Sequence, residues 1–187
     1  MLKEWQYKMK TLILAIVEWL MGKRTAVNII PSPSTEMMTP SMDNSKQCKE
    51  KDGYYVWVKG DSLLLNKYFS TKEFTCQCKL PECKDQKISK ELISRLTIVR
   101  EEMNKPMSIT SGFRCEAHQS NLQKSGANTV VATKSTHCLG HGADAYFKDF
   151  RLDEWKGAAE KVFNAIGLGR NFLHLDIRDD KKRFWLY

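Results

Sequence analysis

One stretch of this chain reads as a helix more clearly than any other. Between Lys87 and Asn104, the residues Leu92, Ile93, Leu96, Val99 and Met103 fall on one stripe at helical spacing. Ser89 is placed to cap the start and Pro106 stops the end. A helix with one apolar stripe must bury it against another layer. Short β-branched or aromatic runs at Tyr54–Val58, Met107–Thr110, Ala143–Phe147 and Phe172–Ile177 read as strands that can supply that layer. Ser70 to Phe74 reads as a helix start or turn, with Ser70 able to cap and Glu73 three residues on. A second amphipathic helix is predicted over Leu152–Ile166, with Asp153 and Glu154 in its first turn and Gly167 beyond its end. The apolar tail Phe184-Trp185-Leu186-Tyr187 could pack as an edge strand. The pattern implies an α+β fold: a small, mainly antiparallel sheet flanked by helices.

This domain is predicted to span 53–187. Residues 28–52 carry Ile30-Pro31-Ser32-Pro33-Ser34 and a polar, breaker-rich run from Thr39 to Ser45, the composition of a flexible linker. Residues 1–27 hold an amphipathic or anchoring helix. Its apolar run, Leu12–Met21, is interrupted by Glu18 and too short to span a bilayer. No convincing cleavage site follows it. Trp5, Trp19 and the flanking lysines suit a helix lying on a membrane surface or a partner through residues 1–24, or one that packs on the domain.

The net charge of +8 suits a polyanionic partner such as an anionic cell wall, anionic lipid or nucleic acid. The positive residues are scattered in short groups such as Lys23-Arg24 and Lys181-Lys182-Arg183, without a basic helix, zinc-finger spacing or aromatic RNA-binding motif, which argues against nucleic acid. Of the six cysteines, Cys76, Cys78 and Cys83 are densely grouped. A structural metal clip with Cys48 or Cys115 as fourth ligand, or a disulfide pair, is conceivable. Unlinked, buried thiols in a reducing compartment are the expectation, and Cys138 is expected to point away from its neighbour His137.

The chemistry concentrates in Ser135-Thr136-His137-Cys138-Leu139-Gly140-His141-Gly142-Ala143-Asp144. A catalytic zinc site takes three protein ligands and keeps one position open. His137 and Asp144 can supply two, from a loop returning into a strand, with Gly140 and Gly142 freeing the backbone for the return. The remaining histidines are His118, His141 and His174. His174 is the strongest third ligand, because Phe172-Leu173-His174-Leu175-Asp176 alternates and sends His174 and Asp176 to one face. His141 reads as a bystander, and His118 as a residue bonding its loop.

These residues resemble a known family. Ser111-Gly112-Phe113-Arg114, His118, Ser135-x-His137-x-x-Gly140-x-x-x-Asp144 and His174-x-Asp176 are similar, in order and spacing, to zinc D-alanyl-D-alanine carboxypeptidases and L-alanyl-D-glutamate endopeptidases. That family cuts peptidoglycan stem peptides, includes bacterial wall enzymes and phage endolysins, and shares its fold with the hedgehog signalling domain. The resemblance covers roughly Tyr68 to Arg178. It implies a hedgehog-like fold, zinc on His137, Asp144 and His174, and a monomer whose substrate is a wall peptide. A phage member would act from the host cytoplasm before lysis, a bacterial one in the cell envelope. It implies Arg114 as the grip on a substrate carboxylate or carbonyl, with Ser135 also at the substrate. The chain departs from the pattern at Gly142, where Ala is frequent, and at Gln119, where Asn is. It also has Asn171 where several members carry the catalytic carboxylate. Asp176 is then the nearest replacement as base, or else a group that orients a ligand. A wall-binding or phage structural domain that keeps the fold and zinc without cleaving is the alternative reading.

Overall fold

The computed structural model describes residues 47–125, 135–148, 151–178 and 180–187. The predicted helix in residues 1–24, most of the linker and part of the loop between Asn121 and Ser135 lie outside them. No helix among the described residues is long and apolar enough to cross a membrane.

Two sheets organise the domain. The first is antiparallel, in the order β1 (Lys49–Lys51), β2 (Tyr54–Val58), β3 (Asp85–Ser89). The predicted linker therefore ends earlier than position 52. Asp52-Gly53 joins β1 to β2, both residues at positive φ (49° and 80°). That is the two-residue hairpin turn for which Asp-Gly is among the strongest short signals.

The second sheet has five strands: β4 (Met107–Ser111), β5 (Gly142–Phe147), β6 (Ala165–Leu168), β7 (Leu173–Asp176) and β8 (Arg183–Leu186). Their order is β4-β5-β7-β6-β8, antiparallel throughout except for the parallel pair β6–β8. The tail thus forms an edge strand, as expected from its composition.

Five helices are described: α1 (Thr71–Phe74), α2 (Lys90–Met103), α3 (Glu116–Lys124), α4 (Thr136–Leu139) and α5 (Leu152–Ala159). Glu73 closes α1 by accepting the Ser70 N–H at 2.8 Å. Ser89 stands at the N-cap of α2, so β3 occupies the first residues of the predicted Lys87–Asn104 helix. Leu92, Ile93, Leu96 and Val99 on α2 are buried in one core with Phe69, Phe74, Ala143, Ala145, Phe147, Trp155, Leu173 and Leu175. Each large aliphatic side chain buried there contributes about 1.5–3 kcal/mol. Alternation along β5 and β7 sends the alanines and leucines into this core and leaves Asp144, His174 and Asp176 on the opposite face.

A further prediction is corrected. The second amphipathic helix ends at Ala159, not Ile166, and Ala165–Leu168 is a strand between β7 and β8. The run Ala165-Ile166-Gly167-Leu168 has no polar face, which suits a strand paired on both sides. Gly167 is not a cap: it lies under Trp185, where a Cβ would meet the indole Cε2 at 2.6 Å.

Candidate metal centre

The three proposed ligands converge. Asp144 on β5 and His174 on β7 are direct cross-strand partners, so the register of the central strands places their side chains side by side. His137 comes from the first turn of α4, whose N-cap Ser135 accepts the His137 N–H at 3.3 Å. Gly140 ends that turn in the left-handed region, φ +72°, and lets the chain enter β5 immediately.

The result is a tight cluster of acceptor atoms. His137 Nε2 lies 3.1 Å from His174 Nδ1; Asp144 Oδ1 lies 2.8 Å from the latter and 3.3 Å from the former. The surroundings decide which ring nitrogens carry protons. His137 Nδ1 is 2.6 Å from the Gly112 carbonyl oxygen, which can only accept, so this nitrogen bears the proton. His174 Nε2 lies 3.1 Å from Asp176 Oδ2 and donates to that carboxylate. With the outer nitrogens protonated, the inner ones present lone pairs. Two lone pairs and a carboxylate oxygen, all buried, then face a common point. Such a group is suited to a cation, and an N₂O donor set matches catalytic zinc.

The electrostatics carry the same message. Burial alone would push Asp144 upward, but His137 and His174 together draw it well below the usual carboxylate range. Burial depresses His137. Burial also works against a charged His174, yet Asp144 and Asp176 outweigh it and raise this ring above its ordinary value.

The remaining side chains are placed as follows. Arg114 donates from Nη2 to Asp144 Oδ2 at 2.7 Å and from Nε to Ser111 Oγ at 2.9 Å. Asp176 is wholly buried (0% exposed) on the far side of the His174 ring from Nδ1. It accepts from the Arg178 backbone N–H at 3.1 Å, from Nε at 2.9 Å and from Nη2 at 2.6 Å. Burial opposes its charge, but His174 and Arg178 hold its carboxyl down at about 2. Ser135 is buried and uses its hydroxyl on the α4 cap. His141 lies against Tyr54, rings stacked at 5.7 Å, with Nε2 2.5 Å from the phenol oxygen. His118 is not at this site; its Nδ1 lies 3.2 Å from Cys76 Sγ. Cys138 is on the short helix α4 rather than a strand-like run, and belongs to no ligand cluster among the described residues.

Two departures from the family pattern have local explanations or costs. A Cβ on Gly142 would meet Thr136 Oγ1 at 2.5 Å and His174 Cε1 at 3.1 Å, so with Thr136 in place this position has no room for alanine. Asn171 is exposed and precedes β7, and its amide cannot serve as a base. Sequence reasoning missed the aromatic wall of the site. Trp185 and Tyr187 lie 5.6 and 6.2 Å from the His174 ring, centroid to centroid, and Tyr187 is 49% exposed at the rim. The tail's composition signalled only an edge strand; the parallel β6–β8 pairing that brings it here is non-local.

A family model described as peptidase M15 matches residues 67–176, which include the three proposed ligands and Arg114. Among solved structures, the crystal structure of the L-Ala D-Glu endopeptidase ChiX of Serratia marcescens is similar at 16% identity and a TM-score of 0.40, over 49% of this chain and 80% of that one. No curated protein matches the sequence.

Proposed function

The chain belongs to the peptidase M15 family, and from that premise we propose that it is a zinc peptidase hydrolysing amide bonds of peptidoglycan stem peptides, of D-Ala-D-Ala carboxypeptidase or L-Ala-D-Glu endopeptidase type. The observation that carries this reading is the convergence of His137 Nε2, His174 Nδ1 and Asp144 Oδ1 within 3.3 Å of one another. The net charge of +8 supports an anionic wall as the setting.

His137, Asp144 and His174 would hold the ion, which when bound supplies Lewis acidity toward the scissile carbonyl and a water acidic enough to ionise near neutral pH. The chain's own groups do the rest. The Gly112 carbonyl and Asp176 fix the two histidine tautomers and hold both rings in place. Asp176 is therefore a positioning residue in this proposal, in place of the base role expected of it. Its oxygens are engaged by Arg178 and His174, and the ring stands between it and the ligand cluster. Arg114 steadies Asp144 with one arm of its fork and offers the remaining N–H groups to a substrate carbonyl or carboxylate. Tyr187, whose phenol is raised chiefly by burial and so stays protonated, is the donor placed at the rim. Ser135 acts through the α4 cap that sets His137.

A second reading has one observation in its favour. Asn171 replaces the expected carboxylate and Asp176 is fully engaged, as suits a domain that binds wall peptides without cutting them. Digestion of purified muropeptides separates the two. Peptide products identified by mass spectrometry, lost on chelation, restored by zinc and absent in His137→Ala, are expected. Chelator-resistant cleavage, or full activity of His137→Ala, overturns the zinc peptidase; wall retention without any product selects the binding domain.

A further inference from the structure

We infer that Cys76, Cys78, Cys83 and Cys115 bind a second zinc ion, a closed tetrathiolate site that braces the loop beneath the first one. The four sulfurs all lie within 4.8 Å of one another. Cys78 Sγ is 3.6 Å from both Cys76 Sγ and Cys115 Sγ. Four sulfurs on a tetrahedron with Zn–S near 2.3 Å stand roughly 3.8 Å apart, which these separations approach. They are far beyond a disulfide bond of about 2.05 Å, and all four cysteines are free thiols.

The surroundings are built for thiolates. Each sulfur has its own N–H donor. Cys76 Sγ accepts from the Cys115 backbone at 3.4 Å, and Cys115 Sγ from the His118 backbone at 3.4 Å. Cys83 Sγ accepts from Gln86 Nε2 at 3.4 Å, and Cys78 Sγ from the Lys59 ammonium at 3.5 Å. His118 adds Nδ1 to Cys76 Sγ at 3.2 Å. A neutral thiol is a weak acceptor and needs no such company. Four sulfurs each supplied with a donor, one of them cationic, match the outer hydrogen bonds that sustain a metal-bound thiolate. Zn²⁺ with four thiolates carries two negative charges; Lys59 offsets part of them. Binding releases the thiol protons to solvent and transfers no electrons.

The placement gives the ion a purpose. Cys76 and Cys78 follow α1, Cys83 precedes β3 and Cys115 caps α3. Phe113 packs on the cluster with Leu80. The Gly112 backbone fits against Phe74, where a Cβ would come within 2.5 Å of Cα, and the Phe113 N–H donates to the Phe74 carbonyl at 2.8 Å. Tying 76–83 to 115 therefore clamps the segment that carries the Gly112 carbonyl and Arg114, the groups that orient His137 and Asp144.

The test counts metal in purified protein by elemental analysis. Two zinc ions per chain are expected in the wild type, one in His137→Ala and one in Cys83→Ser. Zinc that persists in His137→Ala belongs to the cysteines, so the count separates this inference from the proposed peptidase, whose failure would leave His137→Ala with the wild-type count. Cobalt loaded into His137→Ala needs no cysteine variant and covers the case in which Cys83→Ser fails to fold. Thiolate-to-cobalt charge-transfer bands with strong tetrahedral d–d absorption support the site. A metal-free His137→Ala, an intact mass showing disulfides, or rapid alkylation of all four thiols in the folded wild type overturns it.

Discussion

The His137–Asp144–His174 cluster and the Cys76–Cys78–Cys83–Cys115 cluster sit at the two ends of one segment, Gly112–Cys115, and are built on opposite plans. The first draws two of its three ligands from the central strands β5 and β7. A backbone carbonyl and a carboxylate behind the two rings fix their tautomers, and a half-exposed Tyr187 marks the rim. The second draws four ligands mainly from turns and surrounds them with N–H donors. Three ligands leave a coordination position open and suit chemistry, whereas four close the shell and suit a scaffold. The difference lies in what the polar neighbours do: at the histidines they aim lone pairs, and at the cysteines they stabilise charge.

The largest test of this contrast is His137→Ala. Hydrolysis of muropeptides is expected to fall by at least about 10³-fold, since the metal's contribution is several kcal/mol. Retained activity would put the chemistry elsewhere. Next comes Arg114→Ala, expected to cost about 10²–10³-fold in kcat/KM, as for loss of an electrostatic donor, with Arg114→Lys recovering only part because an ammonium cannot span Ser111 and Asp144 together. Asp176→Asn should lower zinc affinity or activity by roughly 10–100-fold while the pH–rate profile keeps its shape. Loss of the acidic limb of that profile would instead restore Asp176 as the base.

Smaller effects concern stability. Cys83→Ser should lower Tm by several degrees, a loss of about 1–3 kcal/mol or more, measurable by calorimetry. An unchanged Tm would mean that the cysteines brace nothing. The mildest is a pH effect on the first cluster. In chelated protein His174 is raised above its ordinary 6.5, so its contribution is full below pH 6.5 and lost as pH rises through the folded value. Zinc requires the neutral ring, so the metal's contribution runs the other way. The Tm gap between zinc-loaded and chelated protein should widen from pH 6 to 8; a constant gap would remove protons from the competition. Asp176, lowered from 3.8 to about 2, adds stability that is present above pH 3.8 and lost as pH falls toward 2.

Local signals foretold much of this. The α2 stripe, the strand β2, the Ser89 and Ser70 caps and the His-x-Asp alternation of β7 were all readable because each depends on neighbours within a few positions. What escaped was non-local. Ala165–Leu168 continues a helical pattern by composition and becomes a strand only because β7 and β8 lie on either side. By sequence, Cys115 and Cys48 are both conceivable partners for Cys76, Cys78 and Cys83, and no spacing signals that Cys115, 37 positions from Cys78, is the one that approaches. The engagement of Asp176 by Arg178 is local in sequence, yet the strand pattern shows only a shared face, not which side of the imidazole a carboxylate meets.

The two histidines meet the common point with different atoms, His137 through Nε2 and His174 through Nδ1. Those nitrogens stand at different distances from their own Cα, one bond further out along the ring for Nε2. The sites are consequently not interchangeable in reach. A glutamine amide extends about as far as Nε2 and an asparagine amide about as far as Nδ1. A shorter ligand that suits position 174 on β7 would fall short at position 137 on α4, and His137 could reach the common point through Nδ1 only if the backbone of α4 moved toward the sheet.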